Sequence, residues 1–155
     1  MADTDRGARR AVQIAALLFG IVFLLVGVAG FVPGLTSGMG SLMLMGHDSG
    51  ALLLGVFQVS VLHNVVHLLF GVAGIVLSRT ASRAAGYLVW GGAVYAVVWL
   101  YGLAVVGGSS PANIVPVNSA DNWLHLALAV VMIALGVLLA RSVRVAVRPT
   151  PGDRR

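Results

Sequence analysis

Residues 51–77, ALLLGVFQVSVLHNVVHLLFGVAGIVL, contain no charged side chain, yet they carry Gln58, Ser60, His63, Asn64 and His67. The run exceeds the ~18–20 apolar residues that a helix needs to cross a bilayer. It therefore reads as a membrane span with polar residues at its centre. The rest of the chain supports that reading. Of its 155 residues, 59% are hydrophobic and 10% charged, against roughly 25% charged in a soluble domain. The mean hydropathy is +0.97. Cysteine is absent, which excludes disulfides, thiolate metal sites and cysteine nucleophiles.

Three further apolar runs lie at about 11–32, 84–106 and 123–140. The expected fold class is all-α: a polytopic membrane protein built as a four-transmembrane-helix bundle. It divides into an N-terminal segment (1–10), a membrane domain (11–140) and a basic tail (141–155). All ten basic residues are arginines, and all lie at segment ends. Arg6, Arg9 and Arg10 precede the first run, Arg79 and Arg83 fill the turn at 78–83, and Arg141, Arg144, Arg148, Arg154 and Arg155 follow the last. The net charge of +5 is thus a topology signal and not a nucleic-acid one. The loops at 33–50 and 107–122 carry only Asp48 and Asp121. By the positive-inside rule, both termini are expected on the cytoplasmic side of the inner membrane. The start, RGARR and an apolar run ending in Gly27-Val28-Ala29, also resembles a signal peptide. Its apolar run is longer than the usual ~7–15 residues, which favours a retained helix. The tail VRVAVRPTPGDRR (143–155) reads as a frayed helix end lying near anionic headgroups.

At 100° per residue, Ser60, His63, Asn64, His67, Gly71 and Gly74 fall in one arc of roughly 100°. Small residues let membrane helices approach, and polar ones bond across the contact, so this stripe is expected to face protein. Gln58 falls on the opposite face. Tyr95, Trp99, Gly91 and Gly102 share a stripe on the third helix, and His125, Ala129, Met132 and Gly136 one on the fourth. His63, Trp99 and His125 each lie sixteen residues from an arginine (Arg79, Arg83 and Arg141), which sets them at a common height of about 24 Å. His67 and Tyr95, twelve residues from theirs, share a level about 18 Å up. Asp121 is one turn before His125, beside Asn122, at a helix start where a carboxylate is favoured and could orient the imidazole. The first helix offers only small residues for packing, Gly20, Gly27 and Gly30. Residues 62–79 and 124–141 also align at an offset of 62, matching His63 with His125, Gly74 with Gly136 and Arg79 with Arg141.

The chain resembles a family of small four-helix membrane proteins, found mainly in actinobacteria and described as a domain of unknown function. The resemblance rests on GHDSGALLLGVFQVSVLHNVVHLLFGVAG (46–74), YAVVWLYGL (95–103) and VPVNSADNWLHLAL (115–128), and spans roughly residues 11–140. It implies a four-helix membrane fold and a pattern that includes His47, His63, His67 and His125. It brings no activity, cofactor or partner.

Several functions suit these residues. In the plainest, the histidines are hydrogen-bonding residues that hold the bundle together, and the protein is structural or accessory, alone, as a homo-oligomer or within a larger membrane complex in the lipid bilayer. Alternatively, His63, His67 and His125 could ligate zinc, copper or iron, with Asn64, Tyr95, Trp99, Asp121 and Asn122 around them. His63 and His125 could also be axial ligands of a b-type haem. His47 joins such a set only if its loop folds back, and Met39, Met43 and Met45 beside it are soft donors for Cu(I) or simply adaptable packing. A transporter or channel would depend on histidine alone, because the spans hold no Asp, Glu, Lys or Arg. The lack of a nucleophile–base–acid set and of a phosphate loop argues against hydrolase or transferase chemistry.

Overall fold

The computed structural model describes residues 2–106 and 114–146. The expected loop segment 107–113 and the tail 147–155 lie outside the described residues. Four helices form: α1 (Ala2–Ala29), α2 (Val61–Leu77), α3 (Ala81–Val105) and α4 (Ser119–Ala146). Within α1, α3 and α4, the segments Arg6–Ala29, Ala81–Val105 and Ser119–Ser142 are long and apolar enough to cross a membrane. α2 is apolar but only 17 residues long, about 25 Å of helix.

The shortness of α2 corrects the reading of 51–77 as one span. Its first ten residues leave the helix for a small antiparallel sheet of order β1-β2-β3, made of β1 (Thr36–Ser37), β2 (Leu52–Leu53) and β3 (Phe57–Gln58). Gly50 and Gly55 break helical continuity, and Val56 and Val59 suit extended backbone. Between β2 and β3, Leu54 (φ 54°) and Gly55 (φ 70°) both adopt the left-handed region, which glycine enters without strain. Gln58 is therefore a strand residue, not one on the far face of a helix. Ser60 then starts α2, its hydroxyl accepting the His63 amide at 3.1 Å in the manner of an N-cap.

The first loop completes that helix start. The amides of Val61 and Leu62 donate to the carbonyls of Met43 and Leu44, both at 3.0 Å, and Asn64 N donates to Ser60 O. All four leading amides of α2 thus have partners, which a helix start buried away from water requires. The loop contributes through its backbone. Met43 and Met45 leave nearly half their surface exposed. A small apolar cluster of Ala51, Leu53 and Val59 seats the sheet on Val26 and Ala29 near the end of α1.

The helices associate as two close pairs, α1 with α2 and α3 with α4. A Cβ at Gly20 would come within 2.7–2.9 Å of the α2 backbone at Gly71, Gly74 and Ile75, and one at Gly92 would strike Ile133 and the Ala129 carbonyl. Glycine at these points permits an approach that no other residue allows. The pairs meet through a core in which Phe23 of α1 stacks on Tyr95 of α3, with centroids 5.3 Å apart, and meets Phe70 edge-on. Gly86 of α3 is different, since a Cβ there would meet nothing within 4 Å.

These contacts separate two kinds of glycine. Gly71→Ala would push its Cβ into the Leu24 backbone and is expected to cost about 1–3 kcal/mol through overpacking. Gly86→Ala should be neutral or stabilise by about 0.5–1 kcal/mol. Thermal unfolding of both variants in the same detergent measures the difference, and equal shifts would contradict the packing described.

Candidate functional site

The buried residues of α2 are His63, Asn64, His67, Gly71 and Gly74, the stripe that faces protein. With Ser60 capping the helix, its first turns direct His67 toward Tyr95 of α3, with His63 beside it, and Asn64 toward Gly30 at the end of α1. On α3, Tyr95 is buried and the Trp99 ring is partly so. On α4, Asp121, Asn122 and His125 are buried at 2–5% exposure and are followed on the same face by Ala129 and Met132.

The structure brings three imidazoles near one another through one tyrosine. The His63 and His67 rings lie 4.3 Å apart. His67 is held at both nitrogens, with Nδ1 3.0 Å from the His63 carbonyl and Nε2 3.5 Å from the Tyr95 hydroxyl. The Tyr95 ring lies 5.5 Å from that of His125. Phe23 underlies the layer, meeting His67 edge-on at 5.8 Å. No sequence signal singled out Phe23, which is one apolar residue in an apolar run.

The two asparagines act in a matching way. A Cβ at Gly30 would overlap the Asn64 amide, and one at Gly102 would overlap that of Asn122. Each asparagine therefore lies against a glycine of a preceding segment, Asn64 on Gly30 just after α1 and Asn122 on Gly102 of α3. Five buried side-chain atoms in the layer have no hydrogen-bond partner among the described residues: His63 Nδ1, Asn64 Nδ2, Trp99 Nε1, Asn122 Oδ1 and His125 Nδ1. Such atoms are costly to bury alone, so the layer has polar capacity beyond its own internal bonds.

Asp121 departs from its expected role. Its carboxylate accepts the Gln58 amide at 2.9 Å and the Asn118 amide at 3.1 Å, while its own amide donates to Asn118 Oδ1. It fastens β3 to the start of α4 instead of orienting His125. Gln58 extends this tie, donating from Nε2 to the carbonyls of His47 and Ser49. Asn118 adds a further bond to Val56 O. The loop does fold back over the bundle, but the His47 ring pairs with its neighbour Asp48, Nε2 to Oδ1 at 3.1 Å.

In this arrangement both His67 nitrogens are engaged within the protein and Asp121 is committed to backbone amides. Among the described residues, no group of three or more His, Asp or Glu side chains is placed to hold a metal ion.

A domain of unknown function (DUF4383) matches residues 13–138. The chain belongs to that family. The match takes in all of α2, α3 and the sheet, and with them every polar residue of the layer. No curated protein and no solved structure matches the chain. What this DUF4383 member does therefore rests on its own residues.

Asp121→Ala would leave two buried amides without an acceptor, at roughly 1–3 kcal/mol each. Hydrogen exchange followed by mass spectrometry should show faster exchange over β3 at Gln58, with a smaller effect in Asp121→Asn, which keeps an oxygen acceptor. Unchanged exchange at Gln58 would mean that the carboxylate does not pin the sheet.

Proposed function

We propose that this protein is a four-span inner-membrane protein with both termini on the cytoplasmic side, structural or accessory in role. In this reading the histidine-centred layer joins the two helix pairs and their outer cap. The observation that supports it best is His67. Its two nitrogens bond to α2's own backbone and to Tyr95 on α3, so the imidazole is used as an interhelical link. Such bonds contribute about 0.6 kcal/mol each on average in membrane bundles, so the layer orients the helices more than it stabilises them. α2 serves as the fourth span, with the sheet and loop covering its outer end. The arginine-bearing ends face the cytoplasm, as the positive-inside rule expects.

A second reading has one observation in its favour. His63 Nδ1 and His125 Nδ1 lack partners, and two imidazole nitrogens are the beginning of a zinc, copper or iron site. Elemental analysis and an absorption spectrum of the purified protein separate the readings. The structural role predicts folded, monodisperse protein without stoichiometric metal and without a Soret band. Near-stoichiometric metal that disappears in His63→Ala and His125→Ala would overturn it.

The topology has its own test, since the chain contains no cysteine. A membrane-impermeant maleimide added to intact cells should label Ser41→Cys, in the first loop. Ser82→Cys, beside Arg83, should react only after permeabilisation, and the reverse pattern would invert the orientation.

A further inference from the structure

The arginine-bearing half of the bundle holds two grooves that the polar layer does not reach. One, of about 670 Å³, runs between α3 and α4 and is lined by Ser82, Gly86, Val89, Gly136 and Arg141 among others. The other, of about 560 Å³, runs between α2 and α3, where the helices part, and is lined by Leu77, Arg83, Gly86, Tyr87 and Trp90 among others. Gly86 belongs to both.

We propose that these grooves bind one anionic phospholipid that straddles α3 at Gly86, an acyl chain in each groove and the phosphate between Arg83 and Arg141. Three observations carry this. Gly86 is the one glycine within α2–α4 whose absent side chain no other part of the protein explains, among the described residues. Glycine disfavours a helix interior, so the space above it is what this position provides. On a helix turning 100° per residue, position 86 falls between Ser82 and Arg83 and between Val89 and Trp90. The missing side chain thus lowers the ridge that would otherwise divide two chains of one lipid.

The second observation is charge. Arg83 and Arg141 are both exposed, and each stands at the end of one groove, whereas the walls beyond are apolar. Arginine fits phosphate oxygens geometrically as well as electrostatically. The third is Trp90, which is 74% exposed in the second groove. It is seven residues from Arg83, about 10 Å along the helix, where an indole beside acyl chains is favoured near the headgroup boundary. A second copy of the chain fits less well, because a copy in the same orientation would set its own arginines against these. The inference does not depend on what the polar layer does.

Native mass spectrometry of the full chain in mild detergent tests it, with phosphatidylglycerol and phosphatidylcholine of identical chains supplied together. One phosphatidylglycerol should be retained in preference to phosphatidylcholine. Arg83→Gln and Arg141→Gln should each reduce that preference roughly fivefold. Gly86→Leu should lose the retained lipid without lowering the unfolding temperature, because its side chain enters open space. Equal retention of both lipids by the unaltered protein would overturn the proposal, as would unchanged retention in Gly86→Leu. Displacement of the lipid by soluble glycerol phosphate would place recognition in the headgroup alone and overturn the groove assignment. A dimer that Gly86→Leu dissociates would assign the surface to a second copy instead. Should Gly86→Leu not fold, the exposed arginine pair decides the matter alone.

Discussion

The Asp121 carboxylate, 2% exposed, takes one backbone amide from β3 and one from its own helix start. Much of the half away from the arginines follows from that contact. With Gln58 fixed against α4, its side chain reaches the carbonyls of His47 and Ser49, and the loop that carries them supplies Met43 and Leu44 as acceptors for the first amides of α2. A carboxylate near the N-terminal amides of α4 is also favoured by the helix dipole. One charge therefore serves two segments that are 63 residues apart.

The underlying constraint is that hydrocarbon accepts no hydrogen bonds. Residues 36–60 form no α-helix, so most of their backbone has to find partners elsewhere. It does so in the short sheet, in the Thr36 hydroxyl that donates to the Ala29 carbonyl at 2.9 Å, and in the return of the first loop. The sheet is two residues deep in each strand, too small to stand by itself. It persists because helix ends, a buried aspartate and a small apolar cluster hold it on three sides.

Much of this was legible in the sequence, for identifiable reasons. Helical periodicity placed His63, Asn64, His67, Gly71 and Gly74 on one face, and they are the buried residues of α2. Height along a helix follows from residue number, so His67 and Tyr95 were expected at one level, and their side chains are 3.5 Å apart. Other features were not legible. An apolar run looks the same whether it is strand or helix, so β2 and β3 were hidden inside an expected span, and Ser60, which caps α2, was read as a residue within it. Residue number gives height but not ring orientation, so the turn of His67 toward Tyr95 and its own backbone was not legible. The partner of Asp121 was hidden for the same reason as the sheet, since Gln58 was assigned to a helix.

The two halves of the bundle solve different problems, and the difference explains where binding capacity remains. Away from the arginine end, the helices are joined by side chains that hydrogen-bond or press on glycine, as Asn64 does on Gly30 and Asn122 on Gly102. That half is closed, and its spare capacity consists of a few buried polar atoms. Toward the arginine end, the contacts are between glycines and apolar side chains, Gly20 with Gly74 and Gly136 with Val89. Among the described residues, the polar bridge from α2 to α3 there is the Tyr87 hydroxyl, which donates to the Phe70 carbonyl at 3.1 Å. Helices drawn together only at their glycines diverge where larger residues return, and the divergence leaves grooves. In water such grooves would collapse or be covered by protein, because exposed apolar surface is unfavourable there. In a bilayer acyl chains would solvate them instead, so open apolar grooves beside exposed arginines suit a fold built for that solvent.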